Sequence, residues 1–174
     1  MHPLNQILSH NHCKSRHCMV PFHRPLCLSG WSQMDCFLHQ RIAKAKERLK
    51  LLTKRNRGRN VRAVMQEVKV FIRGWIGYFR AADMKRTLMS WDEWMRRRFR
   101  MYIWKQWKTP KTKVANSRKL GVPADKAYRC GNSRLGYWRI AGSPLLQCSI
   151  TNERLAAAGY FSILSYYESL HLCG

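Results

Sequence analysis

Acidic residues are scarce in this sequence. Nine of its 174 residues are Asp or Glu, against 33 Lys or Arg, and the formal net charge at pH 7 is +24. Asp83, Asp92 and Asp125 stand apart, so the sequence lacks the adjacent Asp pair that holds two Mg²⁺ ions for nucleotidyl transfer. Neither common glycine-rich phosphate-binding pattern is present. These absences predict a protein that is not an enzyme, has no small-molecule substrate and needs no cofactor.

Long hydrophobic runs and paired metal-binding spacings are also missing. No run reaches the roughly 18 apolar residues that span a bilayer, and the first 40 residues do not resemble a secretory signal. Residues 1–39 contain many Cys and His residues but no CxxC or HxxxH pair, so we expect no metal site there. Their weak periodicity predicts an irregular, poorly ordered leader. The seven Cys of a cytoplasmic protein are expected to be free thiols.

Positive charge is concentrated in the middle of the chain. Residues 41–120 contain 25 Lys or Arg and five acids, a net charge of +20, whereas residues 1–40 and 121–174 each carry +2. A field of this density accumulates nucleic acid through counterion release, whatever the sequence of the ligand. Nucleic acid is therefore the expected partner. The competing explanations are a solvated basic surface without a specific partner and a surface for anionic lipid.

Apolar residues recur at helical spacing in this basic region. The pattern predicts helices at about 38–54, 61–80 and 84–108, with Asn60 and Asp83 as N-caps of the second and third. Such helices, joined by short turns, are typical of a three-helix bundle. Further on we expect short helices at about 111–120, 124–130, 151–158 and 161–170, and a turn at Ser143-Pro144. The predicted fold class is mainly α.

Residues 91–113, WDEWMRRRFRMYIWKQWKTPKTK, combine an apolar face with a cationic one. Core positions are Leu88, Trp91, Met95, Phe99 and Tyr102. The arginine triplet 96–98 is expected outside the core, because an interior seldom pairs three guanidinium groups. Cations neutralise phosphates, and aromatic planes stack on unpaired bases, at roughly 1–3 kcal/mol per base. The predicted RNA-binding residues are Arg96, Arg97, Arg100, Trp104, Lys105, Trp107, Lys108, Lys111, Lys113, Arg134, Tyr137, Trp138 and Arg139.

Some of these aromatic residues have a second interpretation, because most aromatic side chains of a small helical bundle are buried. Trp75, Trp91 and Phe79 lie on apolar stripes and are assigned to the core. Burial and RNA contact remain equally open for Trp104, Trp107 and Trp138.

At this point the sequence resembles a known family, the group II intron-encoded reverse transcriptases. The resemblance is to their C-terminal maturase-specific region, also called domain X or the thumb, and it covers residues 40–170. The matching blocks are IRGWIGYF at 72–79, DEWMRRR at 92–98, MYIWKQWK at 101–108, GYWRIA at 136–141, and 151–160. The resemblance implies a helical core at about 40–108 and a C-terminal part at about 111–170. It also implies a thumb-like bundle that binds intron RNA and assists its folding and splicing.

The resemblance also has departures. The finger and palm regions with their Asp-Asp signature and an HNH endonuclease are absent, and residues 1–39 do not look like palm. We therefore expect a truncated intron protein without polymerase activity, in the cytoplasm of a bacterial-type host. The alternatives are a basic helical DNA-binding module of a mobile element, and a non-functional remnant. The bound intron and the oligomeric state stay open.

Overall fold

Helices joined by turns make up the part of the chain that the computed structural model describes, residues 33–172, and no strand occurs in this part. The helices are α1 (Gln33–Leu52), α2 (Val61–Tyr78), α3 (Lys85–Gln106), α4 (Pro110–Lys119), α5 (Ala124–Gly131), α6 (Tyr137–Ala141), α7 (Pro144–Ser149), α8 (Asn152–Ala157) and α9 (Ile163–Leu172). The predicted mainly α fold class is confirmed. None of these helices has the length and apolar character that a bilayer crossing requires.

The predicted leader falls almost entirely outside the described residues. Its last part is an exception, because α1 begins at Gln33 rather than near Leu38. The expectation of irregular structure up to residue 39 is therefore wrong for residues 33–39. The predicted absence of a zinc site concerns Cys and His residues that mostly precede this range.

Helix α3 is the centre of the packing, since it contacts α2, α6 and α9, while α1 packs on α2. The predicted apolar face of α3 is confirmed. Its five residues are all buried, at 3% exposure or less: Leu88, Trp91, Met95, Phe99 and Tyr102. Residues of α2 at the same helical spacing complete the core: Val64, Met65, Val68, Ile72 and Ile76. These two faces belong to one hydrophobic core that also includes residues of α1 and of the C-terminal helices, and burial of this core stabilises the bundle.

Helix ends follow local capping chemistry in most places. Asn60 is the N-cap of α2, and its side chain accepts a hydrogen bond from the Arg62 N–H at 2.9 Å, as predicted. Thr151 caps α8 and Gly159, with φ 105°, follows its end, also as predicted. The turn predicted at Ser143-Pro144 is instead the start of a helix. Ser143 is the N-cap of α7 and Pro144 its first residue, where a missing N–H costs nothing.

The start of α3 differs from the prediction by one residue. Its N-cap is Met84, and Asp83 accepts only a long hydrogen bond from the Lys85 N–H, at 3.4 Å. Met84 is 2% exposed, and its N–H donates to the Tyr167 hydroxyl. The helix therefore begins at a buried residue whose backbone is hydrogen-bonded to α9.

Arg98 contradicts the expectation that the arginine triplet lies outside the core, because it is 9% exposed. Its Nε donates to Thr53 Oγ1, and its Nη2 donates to the carbonyls of Lys50 and Thr53. These oxygens lie at the C-terminus of α1, where carbonyls lack intrahelical donors and the helix dipole is negative. Burial lowers the pKa of Arg98. The guanidinium tolerates burial because these acceptors replace water.

Replacing Arg98 with Lys is expected to lower the free energy of unfolding by about 2 kcal/mol, because an ammonium cannot reproduce the planar fork of donors. The measurement is urea denaturation at neutral pH. Arg86→Lys, at an exposed position of the same helix, is the matched control and should leave stability unchanged. Equal stability of the two variants would show that the contacts of Arg98 contribute nothing.

Candidate nucleic-acid interface

Helix α6 places two consecutive aromatic rings beside the cationic side of α3. Ile140 and Ala141 are buried and anchor α6, which packs directly on α3. Tyr137 is half-buried and Trp138 is 38% exposed. Each ring meets cations contributed by other segments, so α6 separates two clusters.

Three cations converge on the ring of Tyr137. Arg55 Cζ lies 4.8 Å from the ring centroid, and the Nζ atoms of Lys105 and Lys113 each lie 5.1 Å from it. They come from the α1–α2 turn, the end of α3 and α4. None of them has a carboxylate partner among the described residues, where the salt bridges are Arg59–Glu67, Lys85–Glu168 and Arg96–Asp92. The positive charges of the three side chains repel one another. The aromatic ring of Tyr137 offsets part of this repulsion, and a bound anion would offset the rest.

A cleft of about 620 Å³ adjoins this cluster. It is lined by Arg55, Asn56, Gly58, Arg59, Tyr102, Lys105, Gln106 and Lys108, and is called here the lysine cleft. The turn that forms one wall is tied to α3, because the Tyr102 hydroxyl and the Gln106 Nε2 both donate to the Arg59 carbonyl, at 2.8 and 2.9 Å. Gly58 permits the reversal of the chain with φ 65°. The turn that carries Arg55 and Arg59 is therefore held against α3 by these hydrogen bonds.

A second cleft, of about 510 Å³, lies on the Trp138 side of α6. Arg97 donates from Nε and Nη2 to the Trp138 carbonyl, at 3.2 and 2.9 Å, and its Cζ lies 4.2 Å from the ring centroid. Arg96 is half-exposed and pairs with buried Asp92 at 3.0 Å. This arginine cleft is lined by Ser90, Glu93, Trp94, Arg96, Arg97, Arg100, Trp138, Gln147 and Asn152.

Two of the predicted RNA-binding residues are internal. Arg100 is 7% exposed, and it donates to the Ile150 carbonyl and to Asn152 Oδ1, each at 2.8 Å. Burial and, secondarily, the charge of Arg96 lower the pKa of Arg100. Trp104 is 1% exposed, so its ring is closed to bases. Both positions lie on α3 where other segments cover them, which sequence spacing does not reveal. Trp104 is therefore outside the interface, and the guanidinium of Arg100, although it lines the arginine cleft, already donates to these two acceptors.

The other predicted residues differ in accessibility. Arg96, Arg97, Lys105, Trp107, Lys113 and Tyr137 are half-exposed, while Lys108, Lys111, Arg134, Trp138 and Arg139 are exposed. Six of them line neither cleft: Trp107, Lys111, Lys113, Arg134, Tyr137 and Arg139. Sequence reasoning missed Arg55, Asn56 and Arg59, which lie in the turn between the first two predicted helices. The density of arginine in this turn was the signal that could have identified them.

Two further predictions concern chemistry other than RNA binding. Cys130 and Cys148 are free thiols, as expected for those two. Burial raises the pKa of Cys130 against the opposing effect of Lys113. Within residues 33–172 no group of His, Cys, Asp and Glu is arranged to hold a metal ion.

Residues 42–121 match the model of the group II intron, maturase-specific domain. The match spans most of α1, all of α2, α3 and α4, and it includes Arg55, Lys105 and Lys113. Helix α6, with both of its rings, lies beyond the matched residues. No curated protein matched the chain.

Proposed function

We propose that this chain binds group II intron RNA, because residues 42–121 match the model of the group II intron, maturase-specific domain. In this role it assists the folding of the intron into its splicing-competent form. The role is one of binding, and it assigns no catalytic step to the chain. Phosphate neutralisation and base stacking require no nucleophile.

The observation that carries the proposal is the convergence of Arg55, Lys105 and Lys113 on Tyr137 without an acidic partner among the described residues. Like charges held close together raise the free energy of the free protein. A phosphate placed among them removes that repulsion and releases the counterions of the RNA. The lysine cleft is therefore a favourable position for an RNA backbone.

Helix α3 contributes residues to both clefts and therefore connects them. Arg97 and Lys105 are eight positions apart on this helix, so their backbones are separated by about 12 Å at 1.5 Å per residue. That distance corresponds to a few nucleotides of a strand. We propose that one strand runs along α3 past α6, with Tyr137 and Trp138 as successive aromatic contacts.

A salt titration tests the proposal. The purified chain is titrated with a folded group II intron RNA, an unrelated structured RNA of equal length and a DNA duplex of similar charge. We expect a preference for the intron RNA of about tenfold or more that persists as salt rises, because contacts beyond phosphate neutralisation are less sensitive to salt. Equal, steeply salt-dependent binding to all three would contradict the proposal and favour a remnant. A preference for the duplex would favour a DNA-binding module.

A further inference from the structure

We propose that the arginine cleft accepts one unpaired RNA base, which stacks on Trp138 beside the cations of α3. This inference rests on the proposed function for the class of its ligand. It adds a defined site, whose stacking ring, Trp138, lies outside the residues that match the family. It also adds a defined feature of the RNA, an extrahelical nucleotide.

Trp138 has the exposure that a stacking surface requires. It remains 38% exposed although the Arg97 guanidinium lies over its ring, whereas Trp91 and Trp104 on the neighbouring helix are 3% and 1% exposed. Aromatic side chains that stack on bases present a free face within a cationic groove. A base inside a duplex has both faces covered by its neighbours, so an unpaired base fits this surface.

The position of the ring is set before any ligand binds. Arg97 holds the Trp138 carbonyl with two hydrogen bonds and the ring with its guanidinium plane. Gly142 provides the space for this arrangement, because a Cβ at that position would lie 2.6 Å from the Cζ and Nη2 atoms of Arg97. Preorganisation of this kind lowers the entropic cost of binding. Arg97 is therefore a positioning residue in this proposal.

The lining of the cleft combines positive charge with hydrogen-bond acceptors. Arg96 supplies positive charge, whereas Glu93, an exposed carboxylate in the same lining, accepts hydrogen bonds. Gln147 Nε2 donates to the Gly142 carbonyl, at 3.2 Å, and leaves the Gln147 Oε1 as a further acceptor. A base with amino or imino hydrogens can donate to these acceptors, and its phosphate can pair with Arg96. A volume of about 510 Å³ is within the usual range of small-ligand clefts.

The test compares three RNA duplexes of the same sequence: one fully paired, one with a single bulged nucleotide, and one with an abasic residue in the bulge. The bulged and abasic forms carry the same phosphates and differ by the base alone. We expect the intact chain to bind the bulged form about tenfold more tightly than the abasic form, a modest value for one stacked base. Equal affinity for the two forms would overturn the proposal.

Variants locate the base on Trp138. Trp138→Leu should abolish the tenfold difference and Trp138→Phe should keep most of it, while affinity for the paired duplex changes less than about twofold. Gly142→Ala, which displaces Arg97, should reduce the difference without removing the ring. Tyr128→Leu, at an aromatic residue that is 65% exposed and lines neither cleft, is the control and should retain it. A full difference in Trp138→Leu would place the base elsewhere and overturn the assignment.

These outcomes are separable from those of the proposed function. A chain without preference for intron RNA, yet with the bulge preference, keeps the base site and loses the intron assignment. A chain that prefers intron RNA but binds bulged and abasic forms equally keeps the proposed function and loses the base site.

Discussion

Replacing Arg55, Lys105 and Lys113 together with Gln is expected to weaken RNA binding on the order of 100-fold at about 0.15 M salt. The slope of log affinity against log salt should fall by roughly 2 to 3, because each of the three cations that neutralises a phosphate contributes about 0.7 to 0.9 to that slope. The reason for the large effect is their convergence on one ring, which lets a single stretch of backbone meet all three. Binding is measured by fluorescence anisotropy over a range of salt concentrations.

The matched control removes the same number of charges from a different surface. Arg41, Lys44 and Arg48 are exposed on α1 and line a separate cleft against α2. Their replacement with Gln should lower affinity less than tenfold, since this effect comes from the general field alone. If both triple variants lose affinity equally, total charge rather than the Tyr137 cluster determines binding. Thermal unfolding of both variants confirms that the fold is retained.

Asp92→Ala is expected to lower the free energy of unfolding by about 3 kcal/mol. Asp92 is 4% exposed, and its carboxylate connects α3 to the segment that leads into α9. It accepts hydrogen bonds from the Tyr160 hydroxyl at 2.5 Å, the Ser162 hydroxyl at 2.9 Å and the Ile163 N–H at 3.1 Å. Arg96 supplies the balancing charge at 3.0 Å. Removal of the carboxylate leaves these buried donors unsatisfied.

The hydrogen bond between Tyr160 and Asp92 has a defined direction. Burial, followed by the Asp92 charge and its hydrogen bond, raises the pKa of Tyr160. The phenol therefore stays protonated and donates to the carboxylate. Asp92→Asn should also destabilise the protein, since an amide nitrogen would face a donor instead of accepting from it.

Chemical denaturation measures the loss, and hydrogen exchange should show α9 opening more readily in Asp92→Ala than in the unmodified chain. Glu93→Gln is the adjacent control, because Glu93 is exposed and its replacement should change stability by less than about 0.5 kcal/mol. Unaltered stability of Asp92→Ala would mean that the contacts of this carboxylate are replaced by water without cost.

Features that depend on near neighbours in the chain could be predicted from the sequence. The apolar spacing of α2 and the face of α3 from Leu88 to Tyr102 determine two helices and their buried sides. Asn60, Thr151 and Gly159 determine helix ends through bonds and dihedral angles within a few residues. The concentration of charge in residues 41–120 indicates a polyanionic partner without any coordinates. Each of these properties is set by period, local hydrogen bonding or composition.

Tertiary structure alone decided what three of the arginines of α3 do. Arg97, Arg98 and Arg100 are the same residue type within one helical turn, yet their partners are 41, 45 and 50 positions away. Arg98 meets the end of α1, Arg100 meets the α7–α8 junction, and Arg97 lies beside Trp138 at the surface. Spacing within one helix cannot predict which of these arginines are buried, because the acceptors that permit burial of a guanidinium come from other helices. The cluster around Tyr137 has the same origin, since the α1–α2 turn, α3 and α4 meet only after the chain has folded.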